Sequence, residues 1–76
     1  MKLKIHTRFY NWSHIRECWA DTKYADSSYY PRIAIIFANG DERTFVFDGQ
    51  EDKKENHQDA LQVGRNILNA AIAEMS

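Results

Sequence analysis

One cysteine, one proline and three glycines in 76 residues close off several chemistries before any pattern is read. A lone Cys18 leaves no partner for an internal disulfide and cannot build a four-cysteine zinc site, which fits a reducing compartment and makes the cytoplasm the expected location. Gly40 and Gly49 are isolated turn residues, so there is no glycine-rich phosphate loop. No uninterrupted apolar run approaches membrane-spanning length, and Met1-Lys2-Leu3-Lys4-Ile5-His6 lacks the apolar stretch of a signal peptide. With no secretory route expected, Asn11-Trp12-Ser13 matches a glycosylation acceptor by accident. Internal repeats and low-complexity tracts are absent.

Net charge is also small, at −1, but it is unevenly spread. Residues 1–32 hold six Lys/Arg against three acidic side chains, a net +3, whereas residues 33–76 hold four against eight, a net −4. The chain is electrostatically two-ended, and its positive half suits an acidic partner.

What is present suffices for a folded domain. Hydrophobic residues make up 43% of the chain and aromatics 13%, which supports a globular core. The length gives one domain, residues 1–76. A chain of this size buries roughly 60% of its unfolded surface, so its stability is modest and a homodimer would help it.

The clearest local signal is a hairpin between Arg32 and Asp48. Ile33-Ala34-Ile35-Ile36-Phe37 and Thr44-Phe45-Val46-Phe47 are strand-like runs separated by Asn39-Gly40. A two-residue turn at Asn39-Gly40 would spread the large side chains over both faces. A three-residue loop with Gly40 left-handed gathers Ile33, Ile35, Phe37, Phe45 and Phe47 on one face, and this register is preferred.

Around the hairpin, Lys2 to Phe9 alternates as a half-buried strand, with Leu3, Ile5 and Phe9 inward and Lys2, Lys4, His6 and Arg8 outward. Trp12, Ile15 and Trp19 fall at helical spacing, so Asn11 to about Ala20 is expected as a short helix capped by Asn11 or Ser13, with a strand through Ile15, Glu17 and Trp19 as the competing reading. Ala20 to Pro31 loses all periodicity and is expected as a loop carrying Tyr24, Tyr29 and Tyr30. Ala60, Leu61, Gly64, Ile67, Leu68, Ala71, Ile72 and Met75 define a helix over 57–75, entered through a cap at Asp52 or Asn56. Gly64 is expected to let that helix approach closely over an aromatic ring of the sheet. Its other side, rich in Ala, Asn and Gln, is the surface expected to carry a homodimer contact.

These elements give an α+β fold in β-α-β-β-α order, a three-stranded antiparallel sheet packed by a long C-terminal helix. Its core is expected to hold Leu3, Ile5, Phe9, Ile33, Ile35, Phe37, Phe45, Phe47, Leu61, Ile67, Leu68 and Ile72.

Catalytic chemistry finds little to work with. His14 and Cys18 would lie one turn apart on the expected helix, but His6 and His57 carry no signal that brings them near, so no metal or other cofactor is expected. The carboxylates between Asp48 and Asp59 lie in a polar linker without an apolar pocket to raise a pKa, and an enzyme is not expected. The favoured function is a non-catalytic module that binds a protein partner through an aromatic and basic loop surface of Trp12, Arg16, Trp19, Tyr24, Tyr29, Tyr30 and Arg32, since Trp, Tyr and Arg dominate interface energetics. The alternative is nucleic-acid binding by Lys2, Lys4, Arg8 and Tyr10 on the outer face of the first strand. In its small size, missing catalytic constellation and tyrosine-rich stretch the chain resembles phage or mobile-element accessory proteins that act as inhibitors by occupying another protein's surface.

Overall fold

A computed structural model describes residues 1–75. Five strands and a helix follow one another: β1 (Lys2–Ile5), β2 (Arg8–Asn11), β3 (Ile15–Ala25), β4 (Ser28–Phe37), β5 (Glu42–Val46) and α1 (His57–Ala73). The strands β3, β4 and β5 form a three-stranded antiparallel sheet, and α1 packs across β3 and β4. This is the expected α+β class with a C-terminal helix on an antiparallel sheet. The order differs from β-α-β-β-α, because two segments of the N-terminal half fold otherwise than their local pattern suggests.

The first is Lys2 to Phe9, which is not one strand. His6 takes a left-handed conformation (φ 55°), and the chain reverses at His6-Thr7 so that Ile5 pairs with Arg8 and Lys4 with Phe9. A two-residue reversal resets which side chains share a face. Leu3 and Ile5 remain inward at 0% and 3% exposure, while Phe9 goes to the outer face beside Lys4 and is 61% exposed. It therefore leaves the expected core.

The second is the stretch from Asn11 to Pro31, expected as a helix and a loop. The Asn11 side chain does accept a hydrogen bond from the Ser13 N–H at 3.1 Å, but the cap starts only a single 3-10 turn, Trp12–His14. Residues 15–25 then extend in an eleven-residue strand, which follows the competing reading through Trp19 and runs on into the expected loop. Asp26 and Ser27 are both left-handed (φ 52° and 60°), as a two-residue type I′ turn requires, and they pair Ala25 with Ser28, Tyr24 with Tyr29 and onward to Cys18 with Ile35. A ladder of this length, rich in aromatic and β-branched side chains, outweighs the weak helical period of Trp12, Ile15 and Trp19.

The β4-β5 hairpin has the expected register. Gly40 is left-handed (φ 92°), its N–H donates to the Phe37 carbonyl at 2.9 Å, and Ile33 stands opposite Phe45 and Ile35 opposite Arg43. Ile33 and Ile35 are fully buried, and Phe37, Phe45 and Phe47 pack around them.

Helix α1 is capped by Asn56, whose side chain accepts from the Asp59 N–H at 2.8 Å. Its buried line is narrow: Ala60, Gly64 and Leu68. Leu61 is only half-buried and Ile72 is 38% exposed, so both flank the core instead of filling it. A Cβ on Gly64 would stand 3.4 Å from that of Ala20, 3.5 Å from the Asp21 carbonyl oxygen and 3.6 Å from Pro31. Close approach is thus the role of Gly64, but over small residues and not over an aromatic ring. Leu3, Ile5, Ile33, Ile35 and Leu68 form one cluster, so the β1-β2 hairpin and α1 sit on the same face of the sheet.

Two substitutions check this packing by thermal melts. Leu68→Ala is expected to cost roughly 2–5 kcal/mol, and Ser27→Gly to stabilise by about 0.5–1 kcal/mol because glycine adopts the left-handed turn without strain. A Ser27→Gly melt at or below that of the wild type would contradict the type I′ turn.

Candidate functional site

Because α1 and the β1-β2 hairpin share one face, two surfaces of the meander stay uncovered. One is the opposite face, where Glu17, Trp19, Asp21 and Lys23 of β3 stand beside Ile36, Ala34, Arg32 and Tyr30 of β4. The other is the outer edge of β3, which among the described residues has β4 as its only neighbour in the sheet. A groove of 510 Å3 runs by this edge, walled by Trp12, Ile15, Arg16, Glu17, Cys18, Trp19 and Ile72. Five large hydrophobic side chains are exposed among the described residues, and three of them, Trp19 (37%), Tyr24 (62%) and Ile72 (38%), lie on β3 or against it. Apolar exposure is concentrated where backbone pairing is also open.

Of the seven residues singled out from sequence, Trp12, Arg16 and Trp19 converge on this groove. Tyr30 and Arg32 belong to the open face, one strand further in. Arg32 donates two hydrogen bonds to the Asp21 carboxylate, at 2.6 and 3.0 Å, and each side chain keeps about a third of its surface exposed. That hydrogen bond, followed by the Coulomb attraction of Asp21 and Glu42 and opposed by desolvation, raises the Arg32 pKa. An arginine is protonated at any pH the fold survives, so the shift fixes geometry without creating a pH switch.

Tyr24 and Tyr29 lie apart from these, on the α1 side of the β3-β4 turn. Their rings are 4.9 Å apart, Tyr29 meets the His57 ring edge-on at 5.7 Å, and His57 Nδ1 is 2.9 Å from the Thr22 hydroxyl. The three tyrosines thus stand on paired strands, not in a loop. Tyr29 is further tied by two backbone hydrogen bonds to Lys54, of 2.8 and 2.9 Å. Ile15 and Ile72 are additional walls of the groove, and only knowledge of which strand is the sheet edge would have found them.

The cationic set Lys2, Lys4, Arg8 and Tyr10 is divided by the turn at His6-Thr7. Lys2 and Lys4 share the outer face with the exposed Phe9, whose ring centroid lies 5.7 Å from the Lys4 ammonium. Arg8 and Tyr10 belong to the inner face. Tyr10 is half-buried against Phe37 (6.0 Å) and Phe45 (5.4 Å), which leaves Phe9 as the aromatic exposed for stacking. Arg8 instead meets Arg43 of β5 at a concavity of 290 Å3, with His6 and Thr7 on its rim and Ile5, Tyr10 and Phe45 at its base.

No three His, Cys, Asp or Glu side chains gather around a possible metal position among the described residues. His14 lies in the 3-10 turn and Cys18 on β3, so the one-turn spacing that would have paired them does not arise. No helix among these residues is long and apolar enough to cross a membrane. Compared with known proteins, the chain matches no family model, no curated protein and no solved structure.

Cys18 is half-buried on the α1 side of β3, and desolvation raises its pKa. The folded chain therefore holds the thiol proton more tightly than the unfolded chain does. This stabilisation is complete below the ordinary thiol pKa and is lost as pH climbs through the higher folded value. Melting temperature is expected to fall more steeply for the wild type than for Cys18→Ala between neutral pH and about pH 10. Parallel curves would contradict the burial of this thiol.

Proposed function

We propose that the protein is a non-catalytic interaction module that takes a strand of a protein partner along the free edge of β3. One observation carries the reading: an unpaired strand edge and the exposed side chains Trp19, Tyr24 and Ile72 coincide. An added strand draws affinity from backbone hydrogen bonds and specificity from side-chain pockets on alternate positions. Trp19 would meet such a strand on the open face, while Trp12, Ile15 and Ile72 would meet it on the α1 side. The surface carries charges of both signs, Arg16 beside Glu17 in the groove and the Asp21–Arg32 pair on the open face, and so suits a partner strand of mixed charge. The module acts by occupying its partner's surface.

A display library of linear peptides, selected on the immobilised protein, tests this. Enriched peptides are expected to alternate apolar and polar residues, and Trp19→Ala is expected to weaken them by roughly thirtyfold, the effect of losing about 2 kcal/mol at an interface hot spot. Binders indifferent to Trp19→Ala would refute the assignment.

A second reading, nucleic-acid binding, is favoured by one feature, the convergence of Arg8 and Arg43 over aromatic side chains at a concavity with no carboxylate in its wall. Its mark would be affinity for a mixed-sequence single strand that falls with salt at a log-log slope of about −0.7 per phosphate contacted. Arg8→Ala with Arg43→Ala should flatten that slope, and a slope near zero for the wild type would dispose of the reading.

A further inference from the structure

We propose that a strand β3 seats against β3 of a second copy of the same chain, antiparallel, about a two-fold axis that passes through Ala20. The inference rests on the reading of the β3 edge as a protein-binding surface and names its occupant.

The edge is long enough to matter. An eleven-residue strand spans on the order of 30 Å, a length comparable with the molecule's longest extent of 36 Å. Long unpaired edges are the usual template for pairing with another chain, and two copies joined here would form one continuous six-stranded sheet with an isologous contact.

The pleat and the charges then select a single register. A two-fold axis perpendicular to the sheet keeps every residue on its own face, so opposed residues must share a face and the axis must pass through a residue. From Glu17 to Ala25 the alternation of β3 is unbroken, since its only irregularity lies between Ile15 and Glu17. An axis through Trp19 sets Glu17 against Asp21 of the second copy twice over. An axis through Asp21 sets that carboxylate against itself. Like charges directly opposite destabilise a ladder. An axis through Cys18 leaves only residues 17–19 in regular overlap, and one through Thr22 sets the Tyr24 ring against Ala20 of the second copy, where the close approach of Gly64 leaves little room for it.

The axis through Ala20 pairs residues 17–23 of each copy, seven positions that all lie in the unbroken part of the strand. It sets Glu17 against Lys23 of the second copy at both ends, Trp19 against Asp21, and Cys18 against Thr22. Just beyond this overlap the irregular Arg16 lies near Tyr24 of the second copy, the most exposed aromatic on the strand. Trp19 thereby comes beside the Asp21–Arg32 pair of the second copy, where a guanidinium can stack on the indole. On the α1 side the seam consists of Cys18, Ala20 and Thr22, small enough to leave room for the two helices that pack above it.

Sedimentation of the pure protein from micromolar to submillimolar concentration is expected to show a monomer-dimer equilibrium. Glu17→Lys and Lys23→Glu, both at exposed positions, should each weaken the dimer roughly tenfold, and the double substitution should restore it to within about threefold. Register is read separately in a Cys18→Ala background. Glu17→Cys combined with Lys23→Cys should give a covalent dimer on mild oxidation, while Glu17→Cys alone should not.

A monomer throughout the range would overturn the inference, as would a dimer indifferent to both charge reversals or a double-cysteine chain that fails to cross-link. The peptide selection with Trp19→Ala needs no self-association. A monomeric wild type whose selected peptides still depend on Trp19 would sink this inference and leave the proposed function standing.

Discussion

Ile33 and Ile35, side by side on the inner face of β4 and fully buried, are the contact on which the other parts of the chain depend. Leu3 and Ile5 reach them from the β1-β2 hairpin, Leu68 reaches them from α1, and Phe45 and Phe47 flank them from the strand that follows. Each fully buried isoleucine contributes on the order of 1.5–3 kcal/mol, a large share of the stability available to a domain this small. The further apolar contacts of the hairpin and the helix, Tyr10 with Phe37 and Phe45 and Gly64 with Ala20 and Pro31, lie on this same face. Both consequently crowd onto one face of the meander and leave its other face, together with the edge of β3, without cover.

The open surfaces are thus a consequence of size. Seventy-six residues supply one helix and one short hairpin, enough to cover one side of a three-stranded sheet. On the uncovered side the Asp21–Arg32 pair supplies the middle of the sheet with a polar group whose hydrogen bonds are satisfied within the chain, while Trp19 next to it remains partly exposed.

Much of this was readable from the residues, and the parts that were not share a cause. The β4-β5 hairpin and α1 announce themselves because each carries its own punctuation, Asn39-Gly40 for the loop and Asn56 with Asp59 for the cap. The register followed from asking which loop gathers Ile33, Ile35, Phe37, Phe45 and Phe47 on one face. The turns at His6-Thr7 and Asp26-Ser27 gave no such signal, since both place non-glycine residues in the left-handed region, where a glycine would have been diagnostic. Missing the first turned a hairpin into a single strand and put Phe9 inside; missing the second turned the end of β3 and the start of β4 into a loop. For the candidate site, the enrichment of Trp, Tyr and Arg between residues 12 and 32 covers the part of the groove that β3 and the 3-10 turn supply, but not Ile72. It could not separate Trp12, Arg16 and Trp19, which meet there, from Tyr24 and Tyr29, which stack on one another at the far end, because edge and face are properties of the sheet and not of the segment.

The central claim is that residues 15–25 form a strand held on one side by β4 and open on the other. Residue-resolved amide hydrogen exchange in dilute solution tests it most directly. Amides of β4 from Arg32 to Ile36, paired on both sides, should be protected without interruption, whereas protection along β3 should alternate residue by residue, slow where the N–H points to β4 and fast where it points outward. Uniformly fast exchange from Ile15 to Ala25 would contradict the account, and so would uniformly slow exchange in a dilute monomer.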